Sequence, residues 1–197
     1  MDDWINQLSQ IALASKNNAP FTLYVVAIFW GVHIVNMLLG MRLNILGIHP
    51  RTPFGLIGIP CSPFLHGNFE HIFFNSVPLF ILVNLMLMFG LHTFYVVSIG
   101  IILVGGLAVW LFGRRAIHIG ASGLIMGYWG FLLVTAVYLQ SVLSVIVGAL
   151  CLYYLGGLFL NLLPRGKGIS WEAHLFGFLA GIGMVYALPF VNTISLP

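Results

Sequence analysis

Four polar side chains stand where a hydrophobic sequence can least afford them: His71, Asn75, Ser122 and His174. Ser122 lies in Gly120-Ala121-Ser122-Gly123, between residues too small to screen its hydroxyl. An exposed hydroxyl suits a nucleophile, but serine alone is a weak one, and a neutral imidazole beside it must take its proton as it attacks. His174 can fill that role. It opens the string Ala173-His174-x-x-Gly177-x-x-x-Gly181, with Gly177 on its own helix face. Gly123 and Gly127 form one stripe of small residues, and Gly177 and Gly181 form a second. Two such stripes let helix backbones pack closely, which would bring Ser122 and His174 within hydrogen-bond reach. His71 and Asn75 are i and i+4, so they share a helix face, and both can donate a side-chain hydrogen bond. Acyl transfer develops a negative oxygen, and preorganised donors stabilise it by a few kcal/mol each.

A carboxylate to orient the histidine is harder to find. The acids are Asp2, Asp3, Glu70 and Glu172. Glu172 is two positions from His174, about 200° around a helix, and faces away from it. Glu70 adjoins His71 instead. The expected catalytic unit is therefore a Ser–His dyad, without the acid of a triad.

The elements that must hold these residues follow from composition. Of 197 residues, 60% are hydrophobic and 6% charged, and mean hydropathy is +1.07. Soluble domains run near 25% charged, so a soluble enzyme, a nucleic-acid binder and a disordered chain are excluded. A net charge of +3, spread along the chain, implies no nucleic-acid partner. Cys61 and Cys151 are apolar residues, not a disulfide framework or a metal site.

Charge-free runs define the spans, at roughly 20 residues each. Residues 21–40 give one. Residues 71–113 give two, with a turn near His92-Thr93. Residues 116–164 give two more, with a break near Gln140-Ser141. Residues 173–197 give the last. The expected fold class is an all-α membrane protein with six transmembrane helices over 21–197. The runs are continuously apolar, not alternating, which argues against a barrel. Residues 1–20 read as an N-terminal tail or an interfacial helix, because Trp4, Ile5, Leu8, Ile11 and Ala12 fall at helical spacing. The start carries Asp2 and Asp3 without a basic region, unlike a signal peptide. Between spans one and two, residues 41–70 hold Pro50, Pro53, Pro60 and Pro63 among apolar residues. No long helix survives that punctuation, and an apolar loop of this length is expected to be ordered and partly sunk into the membrane interface.

Singly, each polar residue has a bland reading. A lone serine in a membrane helix usually bonds its own backbone. His33 and Asn36 share a face of span one and are read as a packing hydrogen bond, and Asn84 likewise. The four named residues differ because even-numbered spans all begin at one membrane face, and each residue lies only a few positions into its span. They share a depth of about 5–10 Å, and intramembrane polar groups on one level form a functional-site hypothesis.

The three blocks His66-Gly-Asn-Phe-Glu-His71-Ile-Phe-Phe-Asn75, Gly120-Ala-Ser122-Gly123 and Ala173-His174-Leu-Phe-Gly177-x-x-x-Gly181 together resemble the rhomboid intramembrane serine proteases. The resemblance runs from about Arg42 to Gly181, and a six-helix count is typical of the bacterial members. It implies Ser122 as nucleophile, His174 as general base, and an oxyanion hole of His71, Asn75 and the Ser122 backbone N–H. It implies His66 as a structural hydrogen-bonder in the first loop. Gly120, Gly123, Gly177, Gly181 and Met126 are the expected structural residues near the site. The implied substrates are transmembrane helices of other membrane proteins within the lipid, reached past Tyr153, Tyr154, Gly156 and Gly157 and capped by Arg165-Gly166-Lys167-Gly168. No metal or cofactor is implied. Two positions depart from the pattern: Met126 replaces an aromatic residue, and the first-loop Trp-Arg pair is absent, with Arg51 a stand-in for its arginine.

Two rival readings remain open. One is a catalytically inactive relative, although this chain keeps Ser122, His174 and the oxyanion donors. The other is a haem or ion carrier using His71, His174 and His33, which leaves the Gly120–Gly123 block unexplained. Orientation is contested too. Arg42, Arg51, Arg114, Arg115, Arg165 and Lys167 are six of the seven basic residues and flank the active-site face, so the positive-inside rule places that face in the cytoplasm. The family resemblance opens it outward in a bacterial inner membrane, and the outward orientation is the one expected here.

Overall fold

The computed structural model describes residues 2–139, 145–146, 148–149, 152–153 and 170–191. Among these residues every regular element is helical: α1 (Asp2–Leu38), α2 (Phe69–Leu87), α3 (Leu91–Phe112), α4 (Ser122–Leu139) and α5 (Trp171–Ala187). Three helical stretches are long and apolar enough to cross a membrane, Leu8–Leu38, Phe69–Leu87 and Leu91–Phe112, while α4 and α5 are shorter. The expected break near Gln140-Ser141, the glycines and Tyr154 of span five and the 165–168 cap lie outside the described residues.

Two boundaries differ from the sequence reading. Helix α1 runs through residue 20 without a break, with Pro20 in its interior. Proline removes a helix N–H, and the Thr22 hydroxyl donates to the Asn18 carbonyl at 2.9 Å in that stretch. The turn between α2 and α3 falls at residues 88–90, not at His92-Thr93, which form the first turn of α3. Gly90 sets the position: its φ of +92° suits a residue without a Cβ.

Helix α4 is the central pillar. Residues 124–132 are all buried, including Tyr128, Trp129 and Phe131, as expected of a helix that is hydrophobic all round. The Tyr128 hydroxyl shares a hydrogen bond with the Ser98 hydroxyl of α3 at 2.7 Å, so the buried phenol is satisfied. Asn84 Nδ2 donates to the Ser15 carbonyl at 2.9 Å and Trp30 Nε1 donates to the Ser76 hydroxyl at 2.9 Å, tying α1 to α2. Asn84 thus makes the packing bond expected of it. His33 and Asn36 do not bond each other. Asn36 donates to Asn44 Oδ1 and accepts from the Leu43 N–H, both at 2.9 Å, while neither ring nitrogen of buried His33 finds a partner among the described residues. Asn36 lies two residues from the end of α1, so the loop that follows folds back within its reach.

That loop, residues 41–68, is ordered as a series of short helical turns. Ile48 and Ile59 pack on Val109 of α3 and against Ala173 and Phe176 of α5. Arg51 fastens it to the end of α3. Its backbone N–H donates to the Trp110 carbonyl at 3.0 Å, and its Nη1 donates to the carbonyls of Leu111 at 3.0 Å and Gly113 at 2.8 Å. Those carbonyls are among the acceptors a helix end leaves unpaired. Arg51 holds a φ of +59°, a conformation costing about 1–3 kcal/mol, which these hydrogen bonds offset.

Candidate active site

His71, Ser122 and His174 lie at or just inside the start of a helix, and Asn75 stands one turn beyond His71. Asn68 caps α2, its Oδ1 accepting the His71 N–H at 2.8 Å. Ser170 caps α5, its Oγ accepting the Ala173 N–H at 3.4 Å. Ser122 begins α4. Helix N-termini carry partial positive charge, so three of them meeting at one place favour a developing anion.

They do meet. Ser122, His174, His71 and Asn75 all line one cavity of about 560 Å³, together with Met126, Asn68, Ser170 and the apolar Phe74, Pro78, Ile117, Ile119 and Ile125. The close approach of α4 and α5 rests on the two glycine stripes. A Cβ at Gly177 would run into the Gly123 carbonyl, and one at Gly181 into the Gly127 carbonyl. Gly123 in turn faces the carbonyl of Ala173, the residue before His174, 3.1 Å from where its own Cβ would be.

The donors are aimed by their surroundings. His71 Nδ1 accepts the Gly67 N–H at 3.4 Å. In the neutral ring that leaves the proton on Nε2. Gly120, at φ +120°, lets the imidazole come close: a Cβ there would stand 2.7 Å from His71 Nε2 and 3.7 Å from Asn75 Nδ2. Both donors therefore flank the backbone two residues before Ser122. Asn75 Nδ2 is buried and has no hydrogen-bond partner among the described residues. Met126 is buried and borders the cavity beside His174.

His66 is almost fully buried in the first loop, and its Nε2 accepts the Ala121 N–H at 3.4 Å. Burial, then repulsion from His71, lowers its pKa to about 3, against an opposing pull from the Phe64 backbone. Neutral His66 thus ties the first loop to the residue before Ser122. Its ring stands 5.0 Å from His71 and 6.2 Å from His33, centroid to centroid.

Glu172 turns away from His174, as its helical phase requires. It is buried and pairs with Arg114, Nε to Oε1 at 3.5 Å, and also accepts the Arg114 N–H at 3.4 Å. Arg114, His118 and Ser170 are the residues that sequence reasoning passed over. The Arg114–Glu172 and His118–Ser170 contacts join residues more than fifty positions apart, so no local pattern announces them. Among the described residues, no group of three or more His, Cys, Asp or Glu is gathered to hold a metal ion.

Comparison with known proteins agrees with this architecture. A family model described as Rhomboid domain matches residues 54–190. The uncharacterized protein Rv1337 of Mycobacterium tuberculosis is 37% identical over 172 residues, which cover 83% of this chain and 72% of its own length. The uncharacterized protein Mb1372 of Mycobacterium bovis gives the same figures. The uncharacterized protein ML1171 of Mycobacterium leprae is 34% identical over 172 residues, 83% of this chain and 68% of its own. The chain belongs to the rhomboid family, whose members are in general intramembrane serine proteases, and its long apolar helices are those of a membrane protein.

Proposed function

We propose that this chain is an active intramembrane serine endopeptidase that cleaves transmembrane helices of other membrane proteins. The observation that carries the reading is the single cavity shared by Ser122, His174, His71 and Asn75. Ser122 Oγ attacks the scissile carbonyl carbon while the neutral His174 imidazole takes its proton. The oxyanion is received by His71 Nε2–H, Asn75 Nδ2–H and the Ser122 backbone N–H, donors in place before the charge develops. The imidazolium then protonates the departing amine, and water releases the acyl group by the same two steps. The unit is a dyad, since the Glu172 carboxylate is taken by Arg114.

The rest of the reading is a six-span bundle over 21–197 in a bacterial inner membrane, surrounded by lipid, with the cavity opening outward. Substrate helices unwind to enter a cavity whose apolar lining includes Phe74, Ile117 and Ile125. The test is labelling of the purified protein by a fluorophosphonate, with Ser122→Ala as control. Labelling of the wild type alone supports the reading, and its absence from both overturns it. Orientation is read from cysteines placed at 140 and 166 in a background lacking Cys61 and Cys151. Labelling of 166 alone by an impermeant reagent in intact cells fits an outward cavity, and labelling of 140 alone reverses it.

A further inference from the structure

We propose that His118 is a positioning residue for His174, acting through the Ser170 hydroxyl. This rests on the protease reading above. His118 lies four residues before Ser122 and is buried. Its backbone is clamped to Ile48 in both directions, N–H to carbonyl, at 3.0 Å each. Ile117 and Ile119 on either side line the cavity, and in extended backbone the residue between them points the other way. There its ring spans two groups: Nε2 lies 3.0 Å from the Arg114 carbonyl and Nδ1 lies 2.5 Å from Ser170 Oγ.

The proton positions follow from the partners. A carbonyl can only accept, so Nε2 carries the hydrogen and Nδ1 is left as an acceptor. The Ser170 hydroxyl therefore donates to His118, and its oxygen remains free to accept the Ala173 N–H at 3.4 Å. The Ser170 carbonyl accepts the His174 N–H at 3.3 Å. One side chain thus joins the loop that delivers the nucleophile to the cap of the helix that delivers the base. Burial holds the ring below its ordinary pKa, as do the nearby Arg114 and His49 charges, while the Arg114 carbonyl and the Glu172 carboxylate pull the other way. The Gly123–Gly177 contact sets how close α4 and α5 come. The His118–Ser170 link sets where the first turn of α5 begins, and so where His174 stands along that contact.

The test separates two substitutions by which ring nitrogen they imitate. Asn at 118 places an amide oxygen near Nδ1 and can still accept from Ser170. Gln places its amide near Nε2 and can serve only the Arg114 carbonyl. In cleavage of a model transmembrane substrate, His118→Leu is expected to lower kcat by about 10–100-fold with KM within about twofold, since small displacements of a reacting group carry losses of this size. His118→Asn restores kcat to within about fivefold of wild type, and His118→Gln does not. Ser170→Ala reproduces the loss, and adding it to His118→Leu costs nothing further. It also serves should His118→Leu not fold. Hydrogen exchange at the Ala173 and His174 amides gives a readout independent of turnover. It is expected to quicken in His118→Leu and Ser170→Ala and to return to normal in His118→Asn. Full kcat in His118→Leu, rescue by Gln in place of Asn, or unchanged exchange would each overturn the proposal. If the wild type neither cleaves nor labels with a fluorophosphonate, the protease reading fails by itself, and the exchange rates still decide whether His118 orders the start of α5.

Discussion

The Gly123 carbonyl occupies the space that any side chain at Gly177 would need. This one contact fixes the distance between the helix carrying the serine and the helix carrying the histidine. Gly177→Val must push them apart, and Gly181→Val must do so one turn further along, against the Gly127 carbonyl. Each variant is expected to lose activity and about 1–3 kcal/mol or more of stability, measured as a lowered Tm in detergent. Normal turnover with valine at 177 would mean that α4 and α5 need not pack so closely.

Ser122→Ala and His174→Ala should each reduce cleavage of a model transmembrane substrate by about 10⁴-fold or more while leaving Tm near wild type. Because nucleophile and base act as one unit, the double variant should be no worse than either single. Additive losses would show that the two residues do not share a step.

Asn75→Ala should lower kcat by about 10–1,000-fold, as for one oxyanion donor among several, while fluorophosphonate labelling of Ser122 persists. The same change removes a buried polar group without a partner among the described residues, so Tm should hold or rise. A variant with wild-type kcat would exclude Asn75 from the oxyanion hole.

His66 gives a pH dependence with a definite sign. Its folded pKa of about 3 lies below its ordinary 6.5, so between those values the unfolded chain binds a proton that the folded chain refuses. Its contribution is fully present above about pH 6.5 and is lost as pH falls toward 3, at up to about 1.4 kcal/mol per pH unit. The measurement is Tm at pH 7.5 and pH 5 for wild type and His66→Asn. The variant should show the shallower drop, and equal drops would mean that another group controls acid stability.

Arg51→Ala should destabilise the protein by about 1–3 kcal/mol, because it removes two hydrogen bonds to helix-end carbonyls and leaves the strained backbone. Arg51→Gly, which relieves the strain, should lose less. Thermal unfolding of the two side by side gives the order, and the reverse order would mean that φ at this residue carries no cost.

What the sequence made legible had short-range signatures. Helical spacing put His71 over Asn75, and the paired glycines put α4 against α5, so four cavity residues could be named from spacing and membrane depth. What stayed hidden depended on contacts that no local pattern encodes. The His118–Ser170 pair spans 52 positions and the Arg114–Glu172 pair 58. Helical phase pairs Asn36 with His33, yet the returning loop offers it better partners in Asn44 and the Leu43 N–H. The sequence reading puts the turn after α2 near His92-Thr93, whereas backbone geometry at Gly90 decides it.

Helix α3 contains one π turn, Ile101–Gly105, between two α-helical stretches. Such a turn amounts to a single extra residue in a regular helix. Delete one residue there and the turn would become ordinary α-helix with everything beyond it facing nearly the same way, whereas a one-residue deletion elsewhere in α3 would rotate the later residues by about 100°. Placed beyond the π turn, at 106–108, such a deletion would take Val109 away from Ile48 and Ile59 and swing the carbonyls of Trp110 and Leu111 away from Arg51. The docking of the first loop therefore depends on the winding of α3, and a one-residue deletion at 106–108 should undo it more thoroughly than one at 101–105, where the π turn gives up its extra residue.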